Sequence, residues 1–445
     1  MGVDEWVAES SGRALTTAAL GLSGGPDSLC LLALLRTDHT LRLRTATVDH
    51  ALQPSSHASA QRTHKRALAM GVPNAIISPW ATPPTTRIEE AARDARYKAL
   101  WDYMWTDGHS HQTLILAHHA DDQLETAIMR ALRGTRAYGL GGMRAVRRWG
   151  IPPNATAQDA LRGMRTWISR PLLNIPKARI LATCRALGLE FEQDATNFMP
   201  DLTVRNAIRH ALAHPARVSP DISHAIAHVH TLAGGHTDPP NIPLMRAYVA
   251  QMATRVAQVD KTATHTRPSP PSTLLLVPPP PLDTDTAHAL VHRVLRYVSP
   301  HPWGSPESQA GRKFTRVQRI LERVLDPNPT PTPFAAGAHV LWTPVLIRPD
   351  NSIRYTTTGP GCRAWLASRQ PPFSSTPLDV EIEPGTALLF WDNRFLIRVP
   401  PRLRLAKLVV RPQGRLVLPQ VVAKDGDNQH VLDCQVHFIR SLSPI

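Results

Sequence analysis

Short apolar runs alternate with longer amphipathic runs between Ala18 and Cys184, and this alternation restricts the fold more than any other feature. The strand candidates are Ala18–Leu22, Thr45–Val48, Ala75–Ile77 and Thr113–Ala117; the helix candidates are Asp27–Arg36, Pro54–Met70, Ile88–Tyr103, Asp121–Leu132 and Pro176–Leu187. Strands that alternate with helices at such spacings are typical of βαβ units, whose strands run parallel. The sequence therefore predicts an α/β fold built on a doubly wound parallel sheet.

The amino-acid composition changes beyond about Pro215, because most of the 42 prolines lie there. The stretch PSPPSTLLLVPPPP at Pro268–Pro281 predicts a polyproline-like connector outside any core. Helices are predicted at Thr286–Val298 and Phe314–Leu325, and a hairpin at Ala387–Val399 with Asp392 and Asn393 in its turn. We expect three regions: an α/β domain over 1–215, a proline-rich linker with helices over 216–330, and a β-rich C-terminal domain over 331–445.

Charge and cysteine usage narrow the classes of function. Fifty Lys and Arg against 35 Asp and Glu give a net charge of +15, which favours a polyanionic partner such as nucleic acid over a merely basic protein. The four cysteines form no CxxC pair, which argues against a disulfide framework, a zinc site or an iron–sulfur site. No apolar run approaches the ~20 residues that span a bilayer. We expect a soluble, cytoplasmic protein, or one of the mitochondrial matrix if the source is eukaryotic, although no presequence is evident.

The hexapeptide SGGPDS stands between the first predicted strand and the first predicted helix. A glycine-rich turn at this place lets backbone N–H groups and a helix N-terminus face a bound phosphate. The motif lacks the GK[ST] ending of a Walker A loop. The candidate cofactor-binding residues are Ser23, Gly24, Gly25, Pro26, Asp27 and Ser28. Pro26 has no N–H to donate, and Asp27 does not attract phosphate itself but would hold Mg²⁺ or orient the loop.

Two further polar clusters follow predicted strands. Asp49 and His50 end one strand, and AHHADDQLET begins where another ends. Because ligands of doubly wound sheets bind at the carboxyl ends of the strands, all three clusters are expected to share one crevice. Asp122 and Glu125 are three residues apart on a helix and share a face, which suits an amine or a metal, or only an acidic first turn. His118 and His119 are expected to hydrogen-bond nucleotide or substrate more readily than to bind a metal.

The loop resembles the SGGxDS pyrophosphate loop of N-type ATP pyrophosphatases. The ordered motifs TVDHALQP, IEEAARDARYKAL, LAHHADDQLETAIMRALRG, YGLGGM, ISRPLLNIPKARI and DATNFMPDLTVRNAIRH are together similar to those of the tRNA(Ile)-lysidine synthetases. The resemblance runs from about Ala18 to His210. It implies an adenine-nucleotide α-hydrolase-like fold and makes 1–215 the catalytic domain. One departure is RGTRAYGL, where Arg136 stands at a position in which glycine is common.

The resemblance implies an ATP-dependent ligase. Such enzymes adenylate C2 of the wobble cytidine in tRNA(Ile) with a CAU anticodon, and free lysine then displaces AMP to give lysidine. The SGGPDS residues would hold ATP with Mg²⁺, assisted by Asp49, His50, His118 and His119. Asp122 and Glu125 would hold the lysine ammonium, and Asp122 is our candidate proton acceptor. Arg93, Arg96 and Arg205 would add positive charge near the α-phosphate or the lysine carboxylate. The alternative is that they are ordinary solvent-exposed arginines on a helix face.

Basic residues near this site are candidates for tRNA contacts. Between Met129 and Trp149 the chain carries six arginines and no acid: Arg130, Arg133, Arg136, Arg144, Arg147 and Arg148. Such contacts to phosphate supply affinity without sequence choice. The stretch Pro384–Ile445 has nine Lys and Arg against four Asp and Glu, and is either a second tRNA-binding module or a packing domain.

Other functions on the same fold stay open. A tRNA thiolase would share the SGGxDS loop but commonly needs paired cysteines. Guanylate- or asparagine-forming synthetases would carry a glutaminase domain, which does not precede the loop here. A non-catalytic tRNA-binding homologue would bind nucleotide without turning it over. The sequence does not indicate the oligomeric state.

Overall fold

The computed structural model describes residues 17–84, 86, 88–106, 113–135, 137–152, 154–192, 203–214, 218–237, 239–262, 265–268, 270–277, 283–312, 314–326, 331–372, 378–404, 407–425 and 428–441. The chain divides into two compact units. The first holds the described residues up to Arg148 and those from Thr166 to Ala257; the second holds Trp149–Arg165 and the described residues from Gln258 on. The two units are defined by packing, whereas the three predicted ranges were based on composition and sequence pattern. The units do not test those ranges, which stay a prediction.

A six-stranded sheet forms the centre of the first unit, in the order β3-β2-β1-β4-β6-β5. Its strands are β1 (Thr17–Gly21), β2 (Arg42–Val48), β3 (Asn74–Ile77), β4 (Thr113–Ile115), β5 (Val146–Arg148) and β6 (Trp167–Ser169). All neighbours pair in parallel except β5, which lies antiparallel at one edge against β6. The predicted doubly wound α/β class is confirmed, and the strand order changes direction between β1 and β4.

The helices that flank this sheet are α1 (Pro26–Leu35), α2 (Ser56–Ala69), α3 (Ile88–Trp105), α4 (Ala120–Ala131), α5 (Ala137–Leu140) and α7 (Lys177–Ala186). Helix α1 is apolar around most of its circumference and is almost completely buried. Leu29, Leu32 and Cys30 of α1 pack with Leu20 of β1 and Cys184 of α7 in one core cluster. This cluster fixes the start of α1, and with it the preceding loop, against the end of β1.

Three more helices complete the first unit: α8 (Val204–Ala213), α9 (Pro220–Leu232) and α10 (Ile242–Thr262). Ile208, Val229 and Met245, one from each helix, are fully buried against Leu124 and Ile128 of α4. Helix α4 thus buries one face here and leaves its other face, with Asp122 and Glu125, for polar partners. No helix in the described parts of the chain is long and apolar enough to cross a membrane.

The second unit contains helices and three antiparallel sheets, which confirms the predicted helical and β-rich C-terminal region. Its helices are α6 (Ala157–Arg165), α11 (Thr284–Val298) and α12 (Phe314–Val324). Its strands are β7 (His265–Thr266), β8 (Leu274–Leu276), β9 (Phe334–Ala335), β10 (Val340–Ile347), β11 (Ile353–Arg354), β12 (Cys362–Arg369), β13 (Val380–Ile382), β14 (Leu388–Trp391), β15 (Phe395–Arg398), β16 (Leu408–Gln413), β17 (Leu418–Asp425), β18 (Asn428–Leu432) and β19 (Gln435–Phe438). The predicted hairpin is confirmed as β14–β15, with Asp392 and Asn393 at φ +52° and +51° in its turn.

One prediction for this region is wrong. The described residues 270–277 of the stretch predicted as a connector are not outside the core, because Leu274, Leu275 and Leu276 form β8 and are almost fully buried. Strand β8 pairs antiparallel with β12, placing Leu275 opposite Leu366. Three consecutive leucines bury enough apolar surface to order a strand even where prolines flank it.

Candidate functional site

The loop Ser23–Ser28 leaves the end of β1 and enters α1, as the sequence predicts. Ser23 and Ser28 face each other across it, with their hydroxyl oxygens 3.1 Å apart, and the Ser23 N–H donates to Ser28 Oγ at 3.2 Å. Gly24 has φ +81°, and a Cβ there would lie 2.1 Å from Thr63 Oγ1 of α2. Only glycine therefore fits at this turn, which brings bare backbone and two hydroxyls to the N-terminus of a helix. That arrangement suits a phosphate group.

Asp27 lies in the first turn of α1 and pairs with Lys177, whose Nζ is 2.6 Å from each carboxylate oxygen. His119 approaches the same carboxylate, with Nε2 3.7 Å from Asp27 Oδ1. This Nε2 is also 3.5 Å from Asp122 Oδ2. Since His119 Nδ1 accepts the Asp121 N–H at 3.2 Å, the ring proton of the neutral imidazole lies on Nε2, facing both carboxylates. One imidazole thus joins the Ser23–Ser28 loop to the acidic pair of α4.

Asp122 and Glu125 share one face of α4, as their spacing predicts. Asp122 also completes a capping box, because its Oδ2 accepts the His119 N–H at 3.0 Å. Burial alone would raise the pKa of Asp122, but the neighbouring histidines, the His119 N–H and Arg205 hold it below its usual value. Burial raises the pKa of Glu125 above its usual value, despite the opposing charge of Arg209. The two carboxylates therefore differ in proton affinity, and Glu125 is the stronger base.

Arg205 and Arg209 reach this pair from consecutive turns of α8. Arg209 forms a two-pronged bond with Glu125, with Nε 2.9 Å from Oε1 and Nη2 3.1 Å from Oε2. Arg205 lies farther off, 3.8 Å from Asp122 and 3.7 Å from Glu125. Sequence reasoning selected Arg205 and missed Arg209, although the i, i+4 spacing in VRNAIRH placed both on one helix face.

A second group of cations lies beside His118, near the carboxyl ends of β4 and β6. Arg170, which follows β6, donates from Nε to His118 Nδ1 at 3.3 Å. Burial and the Arg170 charge lower the pKa of His118 to about 3, so its imidazole is neutral at physiological pH. Tyr97 of α3 hydrogen-bonds to Arg147 and Arg170. Burial lowers the pKa of Arg147 to about 10, and the charge of Arg170 adds to this effect.

Arg93 and Arg96 belong to the same electropositive region. The Arg93 guanidinium lies 6.0 Å from the centre of the Tyr97 ring. Arg96 is exposed to solvent, and desolvation together with the charges of Arg93 and Arg205 lowers its pKa. Mutually repelling arginines that gain little from carboxylates are arranged to receive an anion.

Asp49 and His50 follow β2 as predicted, but Asp49 serves its own turn. Its Oδ1 accepts the Ala51 N–H at 3.0 Å, and His57 Nδ1 lies 3.3 Å from Oδ2. His50 stacks obliquely on Trp80, with ring centres 5.5 Å apart, and its buried Nδ1 has no partner among the described residues. Burial and the Arg96 charge lower the pKa of His50. His50 thus faces the arginine region, and a nucleotide role for either residue stays a prediction.

The basic run predicted to contact RNA divides into different environments. Arg130 is occupied within the protein, donating from Nη1 to the carbonyls of Gly139 and Gly142 at 2.6 and 2.7 Å. Arg148 lies over the Trp167 ring at 4.2 Å. Arg136 lies outside the described residues. In the described part of the chain no three His, Cys, Asp or Glu side chains are grouped to hold a metal ion. Asp27 therefore fits Mg²⁺ only in the usual manner of one carboxylate completed by phosphate oxygens and water.

Comparison with known proteins assigns the first part of the chain. Residues 4–216 match the family profile described as the PP-loop domain. This stretch, a little under half of the chain, is similar to PP-loop domains. Two curated relatives are the tRNA(Ile)-lysidine synthases of Methylobacterium nodulans, 37% identical over 44% of this chain and 52% of the relative, and of Bacillus subtilis, 32% identical over 46% and 42%. That of Bradyrhizobium diazoefficiens is 32% identical over 52% of this chain and 66% of its own.

The first of these matches spans about half the length of the relative, and the similarity lies mainly in the PP-loop domain. Among solved structures, the U34-tRNA thiolase NcsA from Methanococcus maripaludis with its [4Fe-4S] cluster is 17% identical. It covers 57% of this chain and 76% of its own, with a TM-score of 0.39. All the residues discussed above that lie within the loop, α1, α3 and α4 fall inside the matched PP-loop domain.

Proposed function

We propose that this chain is a tRNA(Ile)-lysidine synthetase. It would use ATP and Mg²⁺ to adenylate C2 of the wobble cytidine of a CAU-anticodon tRNA(Ile), and then replace AMP with the ε-amine of free lysine. The observation that carries the proposal is the position of His119, which lies within 3.7 Å of both Asp27 and Asp122. The loop suited to phosphate and the carboxylates suited to an ammonium are thus one imidazole apart.

The two steps assign different tasks to the side chains. In the first, the C2 carbonyl oxygen attacks the α-phosphorus and pyrophosphate leaves; cations such as Arg96 and Arg205 would offset the charge that gathers on oxygen. In the second, the amine attacks C2 and AMP leaves with that oxygen, while the amine loses its protons. Asp122, with its lowered pKa, suits the binding of an ammonium better than the removal of its proton.

Glu125 is the better proton acceptor of the pair, because burial raises its pKa. In this proposal the Asp122 carboxylate would orient the amine while Glu125 receives the proton, and the expected role of Asp122 as proton acceptor stays a prediction. Arg209 would keep Glu125 in place through its two hydrogen bonds. We expect Glu125→Gln to reduce the rate of lysine transfer more than the affinity for lysine, and Asp122→Asn to reduce both.

The cysteines favour this reaction over thiolation. Cys30 of α1 and Cys184 of α7 are hydrogen-bonded to each other and are both buried in the core. Burial raises the pKa of Cys30 to about 12, which leaves almost no thiolate at neutral pH. Cys362 and Cys434 belong to the second unit. A persulfide-carrying pair of thiols is therefore not supported by the described residues of the PP-loop domain.

The test is the ATP-dependent incorporation of radiolabelled lysine into RNA, with tRNA(Ile) carrying CAU and tRNA(Met) as the control substrate. We expect label on the first RNA only, and a fall of about a hundredfold for Asp122→Asn, equivalent to roughly 3 kcal/mol of lost binding and orientation. Asp102→Asn, an exposed carboxylate on α3 paired with Lys98, is the matched control and should leave incorporation unchanged. Cleavage of ATP to AMP without label on either RNA would refute the proposal and indicate another adenylating enzyme.

A further inference from the structure

Lys177 lies beside the Ser23–Ser28 loop and is held there both by its backbone N–H and by its side-chain ammonium. It is the first residue of α7, and its backbone N–H donates to Asp121 Oδ2 at 2.8 Å. Its Nζ lies 2.6 Å from both oxygens of Asp27, 150 positions away in the sequence. The side chain is therefore anchored at its base by α4 and directed at its tip into the first turn of α1.

This ion pair is accessible to a ligand. The Lys177 and Asp27 side chains are 33% and 25% exposed, so neither is sealed in the core. A partly exposed pair loses little free energy when it separates, because water replaces much of the lost interaction. A lysine ammonium on a flexible four-carbon stem can also turn to a new anion without moving the backbone.

The charges around the Ser23–Ser28 loop favour this reorientation of the Lys177 side chain. The Asp27 carboxylate repels a polyphosphate that approaches the N-terminus of α1, and in the free protein the Lys177 ammonium neutralises it. Asp27 would hold a divalent cation brought with ATP, and the Lys177 ammonium would then be released toward the phosphate oxygens beside it. Because phosphate oxygens are strong acceptors for an ammonium, Lys177 gains a phosphate partner as it loses the carboxylate.

We propose that Lys177 binds the β- and γ-phosphates of ATP, exchanging its Asp27 partner for the group that leaves as pyrophosphate. The proposal rests on the proposed function and adds a residue to its first step. In that step the bond between the α-phosphorus and the β-bridging oxygen breaks, and pyrophosphate departs with the electron pair. The Lys177 ammonium offsets the charge that collects on this oxygen and transfers no proton.

The binding test uses the full chain without tRNA or lysine, so a failure of lysine transfer does not affect it. Calorimetry would measure the affinities for ATP, pyrophosphate and AMP in the presence of Mg²⁺. We expect Lys177→Met to weaken ATP and pyrophosphate by about 10- to 100-fold, and AMP by less than about threefold. Lys177→Arg should retain most of the affinity. The control is Lys98→Met, which removes an exposed lysine from a comparable carboxylate pair on α3.

A second set of measurements distinguishes a Lys177 that exchanges Asp27 for phosphate from a Lys177 whose ion pair with Asp27 is purely structural. Without Mg²⁺, Asp27→Asn frees Lys177 and should raise the affinity for pyrophosphate several-fold, and adding Lys177→Met should abolish that gain. Equal losses of ATP and AMP in Lys177→Met, or no gain in Asp27→Asn, would overturn the proposal. If Lys177→Met fails to fold, the Lys177→Arg and Asp27→Asn measurements still decide it.

Discussion

Gly24 offers the most direct test of how the loop is built, through the variant Gly24→Ala. At φ +81° an alanine is strained by about 1–2 kcal/mol. Its Cβ would also lie 2.1 Å from Oγ1 of Thr63, which is fully buried, and such overpacking costs about 1–3 kcal/mol. We therefore expect a loss of about 2–5 kcal/mol in the free energy of unfolding of the PP-loop unit.

The double variant Gly24→Ala/Thr63→Ala separates the two causes. Thr63→Ala alone loses the bond from Oγ1 to the Ser59 carbonyl, at 2.9 Å, and costs about 1 kcal/mol. In the double variant the nearest Thr63 atom that remains is Cβ, at 3.3 Å, so the clash is largely relieved. The double variant should be more stable than the sum of the single losses by about 1–3 kcal/mol. Urea unfolding, fitted separately for each unit, measures this, and strictly additive losses would refute the steric argument.

Three further variants test other parts of the molecule. Asp392→Asn keeps the left-handed turn but removes the carboxylate that pairs with the buried Arg394, and it should lower the free energy of unfolding by about 3–5 kcal/mol, measured with urea. A loss below about 1 kcal/mol would contradict the role of the ion pair. Hydrogen bonds from Arg62 and, to a smaller extent, Arg66 lower the pKa of Glu192 from 4.5 to about 2, so its stabilisation is complete above pH 4.5 and falls as the pH drops toward 2; Glu192→Gln should flatten that dependence, and an unchanged acid profile would contradict it. Leu275→Ala should cost about 2–4 kcal/mol if β8 belongs to the core, whereas a neutral result would restore the connector interpretation.

The parallel sheet was predictable because β1, β2 and β4 each end in a polar cluster that a helix follows. Strands β5 and β6 were not predicted, since each has three residues and they are joined across residues 149–165. Leu274–Leu276 was misjudged because neighbouring prolines are a local signal, while the pairing with β12 is not.

The candidate site was likewise predictable only in part from the sequence. The Ser23–Ser28 loop and the shared face of Asp122 and Glu125 follow from local spacing, and the structure brings them together through His119. Lys177 was missed because its partner Asp27 lies 150 positions away and no local pattern encodes such a pair, whereas Arg209 could have been found from its i, i+4 spacing to Arg205. The lowered pKa of Asp122 likewise depends on charges from several segments and could not be read from the sequence.

The placement of Trp149–Arg165 in the second unit has a consequence for the order of events during synthesis. These residues leave the ribosome before β6, yet the rest of their unit begins only at Gln258. Ala160 and Met164 of α6 are both buried in the finished protein, and α6 contacts β14, so more than about two hundred further residues must be made before this partner exists. The first sheet can close around a loop in the meantime, so the nascent chain carries a temporarily exposed apolar segment that a chaperone would recognise.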